Sequence, residues 1–232
     1  GAENSWPAGQ VPVSAPGVQA AAVHPLPNAQ RAGHDPPMAD PLPDDWLAAF
    51  FDRLVAVGPN VLDAGCGPGM DAATLARKGF AVTAFDRKKS VAGKWLPPVD
   101  HLLADVRALP FRPATFDTAI ASLSLHYLPW DETLAAFAGV GATVRPGGLF
   151  LFRVNASDDV HHGAGQGEEV EPGFFQVPTA LVRHAETKRF FTEAAVRAVI
   201  PAQFSVLHLV HRTIRRYQHP KQVWECLLTR DA

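Results

Sequence analysis

Apolar positions along the chain fall into helical and strand-like spacings that alternate from about residue 44 onward. Trp46, Leu47, Phe50, Phe51, Leu54 and Val55 recur as one helical face, with Asp44 or Asp45 placed to cap its start. Val61-Leu62 begins a strand, Asp71 to Lys78 reads as a helix, and Phe80 to Phe85 as a second strand. Leu102 to Ala104 and Thr118 to Ala121 are two further short strands. Over Asp131 to Val144 the residues Leu134, Phe137, Val140 and Val144 mark the inward face of a helix. Arg145-Pro146-Gly147-Gly148 is expected to break the chain before a strand over Leu149 to Val154. Strand and helix in alternation predict an α/β fold, a mainly parallel sheet covered on both faces. A helix from Thr192 to Ile200 precedes two long runs, Phe204 to Tyr217 and Gln222 to Thr229, close enough in sequence to pair antiparallel at the sheet edge.

Residues 1–43 follow neither spacing. They hold nine of the 21 prolines and four charged residues, and no periodic apolar face. A disordered tail is expected there, followed by a single domain over 44–232. A chain of 232 residues with 47% hydrophobic content suffices for one α/β domain with a real core. The net charge of −2 argues against a generic nucleic-acid binder. No apolar run is long enough for a membrane helix. Two cysteines, Cys66 and Cys226, imply no disulfide framework, and a reduced, cytoplasmic setting is expected. Cys66 reads as a small packed residue and Cys226 as inert core.

The stretch "VLDAGCGPGMDAATLARKGFAVTAFD" (61–86) carries the first chemistry. The first strand-to-helix turn of a parallel sheet lies at the carboxyl edge, where ligands bind, and glycines let a ligand approach the backbone. A dinucleotide fingerprint places its third glycine at the position of Met70. Asp63, just before the glycines, would repel a pyrophosphate but suits a cationic amino group. Asp86, closing the second strand, is placed to accept both hydroxyls of a ribose.

Asp63-Ala64-Gly65-Cys66-Gly67-Pro68-Gly69 resembles motif I of the class I S-adenosylmethionine-dependent methyltransferases. Leu103-Ala104-Asp105-Val106 resembles that family's next signature, Phe116-Asp117 with Ala121 to Tyr127 its fourth-strand segment, and Arg145 to Gly148 the turn before its fifth strand. The resemblance covers about Asp44 to Val154. It implies a Rossmann-like, doubly wound, mostly parallel seven-stranded sheet with an antiparallel C-terminal edge strand. It also implies S-adenosylmethionine as cofactor and a small-molecule methyl acceptor, with no nucleic-acid or membrane partner. By this resemblance Asp63, Gly65, Cys66 and Gly67 form the cofactor turn and Asp86 takes the ribose. Asp105 and Val106 take the adenine, and Arg87, Ser122 and Leu123 are further cofactor-binding candidates. His126 follows the fourth strand and is the candidate catalytic residue. It acts either as a general base, since its ordinary pKa sits near neutral pH, or as packing beneath the cofactor. Of His126 and Tyr127 beside it, only one is expected to face the pocket. An NAD-dependent oxidoreductase and a catalytically silent cofactor-binding scaffold are the competing readings.

Asn155 to Phe191 carries four glycines and, early on, Asp158, Asp159, Glu168, Glu169 and Glu171. It is expected to be a mobile lid. His161 and His162 with those carboxylates suggest a metal site, but adjacent histidines rarely point the same way, so solvated loop residues are expected and no metal. Arg183 to Arg230 holds nine Lys/Arg against three Glu, which favours an anionic acceptor unless it is merely a solvated face. "LSLHYLPW", "RPGGLFLFRVN" and "KRFF" resemble, more loosely, bacterial tellurite-resistance and thiopurine-type methyltransferases, which implies a small, soft or anionic acceptor.

Overall fold

The two faces of the central sheet are sorted by residue parity. The computed structural model describes residues 46–88, 99–178, 186–215 and 217–232. The tail expected over 1–43 and the capping residues Asp44 and Asp45 lie outside these described residues. Five strands, β1 (Asn60–Ala64), β2 (Ala81–Asp86), β3 (Asp100–Leu103), β4 (Phe116–Ser122) and β5 (Val144–Asn155), run parallel. In β5, Leu149 and Leu151 pack on one face while Phe150, Phe152 and Val154 pack on the other. β4 splits likewise, with Ile120 opposite Ala119 and Ala121. Helices α1 (Phe51–Val57) and α2 (Met70–Arg77) cover the first face through Leu54, Ala72 and Leu75. Helices α3 (Trp130–Thr143) and α4 (Glu193–Val199) cover the second through Phe137, Val140, Val196 and Val199. There Phe137 meets Phe152 edge-on at 4.9 Å between ring centres, and each such buried ring contributes about 1.5–3 kcal/mol.

The strand order is β3-β2-β1-β4-β5-β10-β9. β9 (Phe204–Ile214) and β10 (Lys221–Arg230) are the antiparallel pair expected from the two C-terminal runs. The last strand inserts between β5 and β9, antiparallel to both, so the penultimate strand forms the edge. This insertion sets the site, because it lays the start of β10 beside the end of β5, with Val223 opposite Asn155.

Several local expectations shift. The helical face of residues 46–55 is a 3-10 turn (Ala48–Phe50) running into α1; Trp46, Leu47, Phe50 and Leu54 are buried but Val55 is 68% exposed. Arg145 to Gly148 do not break the chain. They lie within β5 as a bulge, across which the pairing jumps from Phe116–Val144 to Thr118–Leu149. The bulge is clamped by Asp117, which accepts hydrogen bonds from Arg145 Nε at 2.6 Å and from the backbone and side-chain N–H groups of Asn60 at 2.9 and 3.0 Å.

The glycine-rich segment after β5 is also more structured than a lid loop. A 3-10 turn (Val160–His162) leads into a three-stranded antiparallel sheet of β6 (Glu168–Glu171), β7 (Phe174–Val177) and β8 (Glu186–Arg189). Glu171 docks this sheet on α3 by accepting from Trp130 N at 2.6 Å and pairing with Arg189. The Arg189 N–H reaches the His126 carbonyl at 2.7 Å. No helix among the described residues is long and apolar enough to cross a membrane.

Candidate active site

The carboxyl ends of β1, β2 and β4 and the loop after β3 open onto one cleft of about 970 Å³. Ten of the eleven candidate residues line it: Gly65, Cys66, Gly67, Asp86, Arg87, Asp105, Val106, Ser122, Leu123 and His126. Asp63 does not.

The glycine turn is pinned by hydrogen bonds. The N–H groups of Gly65 and Cys66 both reach the Phe85 carbonyl, at 2.8 and 2.9 Å, and that of Gly69 reaches the Cys66 carbonyl at 2.8 Å. The Gly67 N–H donates to Asp86 Oδ2 at 3.0 Å, and the Lys88 N–H to Asp86 Oδ1 at 2.9 Å. Gly65 (φ +70°) passes so close to the fourth-strand turn that a Cβ there would lie 2.5 Å from Ser124 Cβ. Gly67 (φ +51°) has open space where its Cβ would be, so bare backbone faces the cleft.

Asp63 shares its face of β1 with Val61, and α2 covers that face. Its carboxylate is 2% exposed, lies behind the turn, and accepts a hydrogen bond from the Ala72 N–H in the first turn of α2. Oδ2 has no hydrogen-bond partner among the described residues. Burial, and then the nearby Asp71 carboxylate, hold Asp63 well above the usual carboxylate range, with Asp86 adding to the effect. Burial and the charges of Asp63 and Asp86 push the Cys66 thiol up to about 12, so it is no nucleophile at neutral pH. Burial does the same to Cys226.

This environment makes a testable demand on stability. A carboxyl group whose pKa is raised by folding costs stability once it ionises, so the cost is absent below the unfolded value near 3.8 and present in full above the folded one. Asp63→Asn keeps an acceptor for Ala72 and removes the charge. Its melting temperature is expected to exceed that of the wild type at pH 7.5 by about 2–4 °C, the shift for about 1 kcal/mol in a chain of this size, and to converge with it near pH 4. A variant less stable at pH 7.5 would contradict this.

Farther along the wall, Asp105 accepts from the Arg107 backbone N–H and from its guanidinium at 3.0 and 2.7 Å. Those bonds hold its carboxyl down at about 2. Ser122 Oγ accepts from Arg153 Nε and Nη2 at 3.1 and 2.8 Å, and that buried guanidinium lies 4.4 Å over the Trp46 ring. Leu123 takes a left-handed conformation (φ +55°), and its N–H is held by the Arg153 carbonyl at 2.8 Å. Such a non-glycine residue costs about 1–2 kcal/mol and is held there by its surroundings.

His126 is 2% exposed, and its Nδ1 has no partner among the described residues. Tyr127 also lines the cleft, contrary to the expectation that consecutive residues diverge, and its ring lies 4.2 Å from that of His126. The alternation rule applies to strands, and these two sit in a turn after β4. Burial, then the charges of Lys221 and Lys188, hold His126 well below the usual imidazole range. Accepting a proton would create a buried imidazolium repelled by two ammonium charges, which weighs against general-base catalysis and for a neutral hydrogen-bonding role. The sign of the linkage is set by that lowered value. Above about pH 6.5 the group is neutral folded and unfolded; below it the unfolded chain takes a proton that the folded chain refuses, and stability falls. The loss of melting temperature between pH 7 and 5 is expected to be larger in wild type than in His126→Gln; equal losses would contradict this.

The sequence did not identify the far wall. Asn155, Lys188, Tyr217 and Lys221 line it, together with Glu186 and His162. Lys188 and Lys221 are 8% and 6% exposed, so the basic C-terminal part is not only a solvated face. His162 is bonded through Nδ1 to Asp159 at 2.8 Å rather than solvated, and His161 stacks on His219 at 5.1 Å. Among the described residues no three His, Cys, Asp or Glu side chains are grouped to hold a metal.

Residues 61–148 match the methyltransferase domain family. An uncharacterised methyltransferase of Mycobacterium bovis is 35% identical over 121 residues, 50% of this chain and 60% of that protein. The chain thus spans less than two thirds of that relative's length. A methyltransferase structure from Methanosarcina mazei superposes with a TM-score of 0.64 at 16% identity, over 78% of this chain and 97% of that one. The 1,6-didemethyltoxoflavin N1-methyltransferase of Burkholderia thailandensis, solved with its substrate and S-adenosylhomocysteine, superposes with a TM-score of 0.57 at 23% identity, over 89% and 98%. Residues 61–148 thus carry a methyltransferase domain, and the glycine turn, the Asp86 brace and the strand order sit on a fold shared with solved S-adenosylmethionine-dependent methyltransferases.

Proposed function

We propose that the protein transfers the methyl group of S-adenosylmethionine to a small-molecule acceptor bound in the same cleft, in the cytoplasm. The observation that carries this reading is how the glycine turn is satisfied. The N–H groups of Gly65, Cys66, Gly67 and Gly69 are already bonded to protein acceptors, and the Asp63 carboxylate takes an N–H at the start of α2. A pyrophosphate would need those N–H groups and would meet the charges of Asp71 and Asp86, which line the cleft. A cationic donor gains from the same field. This argues against the NAD-dependent alternative on physical grounds beyond the missing third glycine.

The residues fit the cofactor. The open backbone at Gly67 admits its close approach, and each Asp86 oxygen keeps a lone pair for a ribose hydroxyl beyond the N–H it accepts. Asp105 and Val106 flank the adenine position, where the Arg107 fork fixes the Asp105 carboxylate, and Ser122 and Leu123 form the floor. When bound, the cofactor supplies an activated methyl group on a sulfonium. What this chain adds is positioning and exclusion of water. His126 and Tyr127 shape the passage between donor and acceptor ends, with His126 as a neutral partner. A small acceptor suits a cleft of about 970 Å³ that must also hold the donor, and the toxoflavin-precursor enzyme shows one such acceptor on a similar fold.

The test is incubation with methyl-labelled S-adenosylmethionine and a panel of small acceptors, reading labelled product. Transfer to at least one acceptor, needing more S-adenosylmethionine in Asp86→Ala, is the expected result. Tight cofactor binding with no transfer to any acceptor would favour the silent scaffold.

A further inference from the structure

The far wall of the cleft carries polar groups that the donor reading leaves without work. Asn155, at the end of β5, is fully buried, and neither its amide oxygen nor its amide nitrogen has a partner among the described residues. An unpartnered buried amide costs about 1–3 kcal/mol, so it marks a place where a ligand completes the hydrogen bonding. Beside it stand two buried ammonium groups. Lys221 Nζ donates to Asp159 Oδ2 at 2.9 Å, while the other oxygen of Asp159 holds His162 at 2.8 Å and the Gln222 N–H at 3.0 Å. Lys188 Nζ pairs with Glu186 Oε1 at 2.5 Å, and Glu186 is 32% exposed. An ammonium has three donors, so each lysine keeps capacity for a second anion. Both lysines line the same cleft as His126.

From this arrangement, and resting on the donor reading above, we infer that Lys188, Lys221 and Asn155 form an anion-binding subsite, and that the methyl acceptor enters the cleft as an anion such as a carboxylate. Two ammonium groups face two carboxylates, Asp159 and Glu186, and the N–H donors those pairs leave unused are what an anionic acceptor meets. The donor end, by contrast, is lined by Asp71 and Asp86, with Asp63 buried behind the turn. The cleft thus offers carboxylates at the donor end and ammonium donors at the far wall.

The reaction fits the same polarity. An oxygen of the acceptor anion bonds to the methyl carbon as the carbon–sulfur bond breaks, and the electron pair stays on sulfur. Anion and sulfonium become neutral ester and neutral thioether. No proton leaves, so no general base is required, in keeping with a His126 surrounded by positive charge. Annihilating two opposite charges is favoured beside groups as buried as Asn155, Lys188 and Lys221, where water screens less. Lys188 and Lys221 on this account determine acceptor specificity.

The experiment compares matched acids and amides. Benzoate, 3-phenylpropanoate and their primary amides are titrated calorimetrically into wild-type protein saturated with S-adenosylhomocysteine. Each acid is expected to bind about tenfold more tightly than its amide, the scale of one charge-assisted contact of about 1.4 kcal/mol. In Lys188→Met the acid preference is expected to fall below about threefold, in Lys188→Arg it is expected to persist, and S-adenosylhomocysteine affinity is expected to stay within about twofold in both. Amides binding as tightly as acids, or no acid binding, with S-adenosylhomocysteine bound normally, would overturn the inference. Failure of S-adenosylhomocysteine to bind would overturn the donor reading beneath it.

Discussion

Gly65→Ala is expected to weaken S-adenosylmethionine binding by at least about 100-fold while the far-ultraviolet circular dichroism stays that of the wild type. Gly65 holds φ +70°, a conformation that costs an alanine about 1 kcal/mol or more. The added methyl would also lie 2.5 Å from Ser124 Cβ. Ser124 cannot retreat freely, because its Oγ donates to the Ala64 carbonyl at 2.7 Å and thereby joins the end of β1 to the turn after β4. Relief of the clash must move either the glycine turn or the Ser122–Leu125 turn, and both are cleft walls. Strain and displacement together exceed about 2.7 kcal/mol, or two decades in affinity. Calorimetry showing affinity within about threefold of the wild type would mean that the turn does not shape the cofactor site.

Asp86→Ala is expected to cost about 1–3 kcal/mol of cofactor affinity, roughly 5- to 150-fold. The loss has two sources. The ribose hydroxyls lose their carboxylate, and the N–H groups of Gly67 and Lys88 lose the acceptors that fix the loop around the site. Asp86→Asn keeps one acceptor oxygen for that brace and is expected to fall between wild type and alanine. Equal losses in the two variants would assign the effect to charge alone.

What the sequence disclosed of this architecture follows the range of the forces involved. The glycine turn, Asp86 and the alternating elements are local: each depends on residues adjacent in the chain, and spacing reveals them. Asp63 was legible as a candidate, yet its direction was open to the same parity argument that sorts β1. Sharing a face with Val61 sends it under α2 rather than into the cleft. The bulge over Arg145 to Gly148 was hidden because Pro and Gly read as a break, whereas the Asp117 clamp that retains them in β5 comes from another strand. The far wall was the least legible part. Asn155, Lys188 and Lys221 are separated by tens of residues, and only the insertion of β10 next to β5, with β8 docked on the His126 turn, brings them together. A run of basic residues gives no sign of which members turn inward; burial of Lys188 and Lys221 against Glu186 and Asp159 does.

The measurement that tests the central claim most directly is isothermal calorimetry of the purified chain with S-adenosylhomocysteine and, separately, with NAD. The account expects one-to-one binding of S-adenosylhomocysteine in the micromolar range, about 8 kcal/mol, reduced in Asp86→Ala, and no heat with NAD. Binding of NAD, or no binding of S-adenosylhomocysteine by the folded wild type, would contradict it.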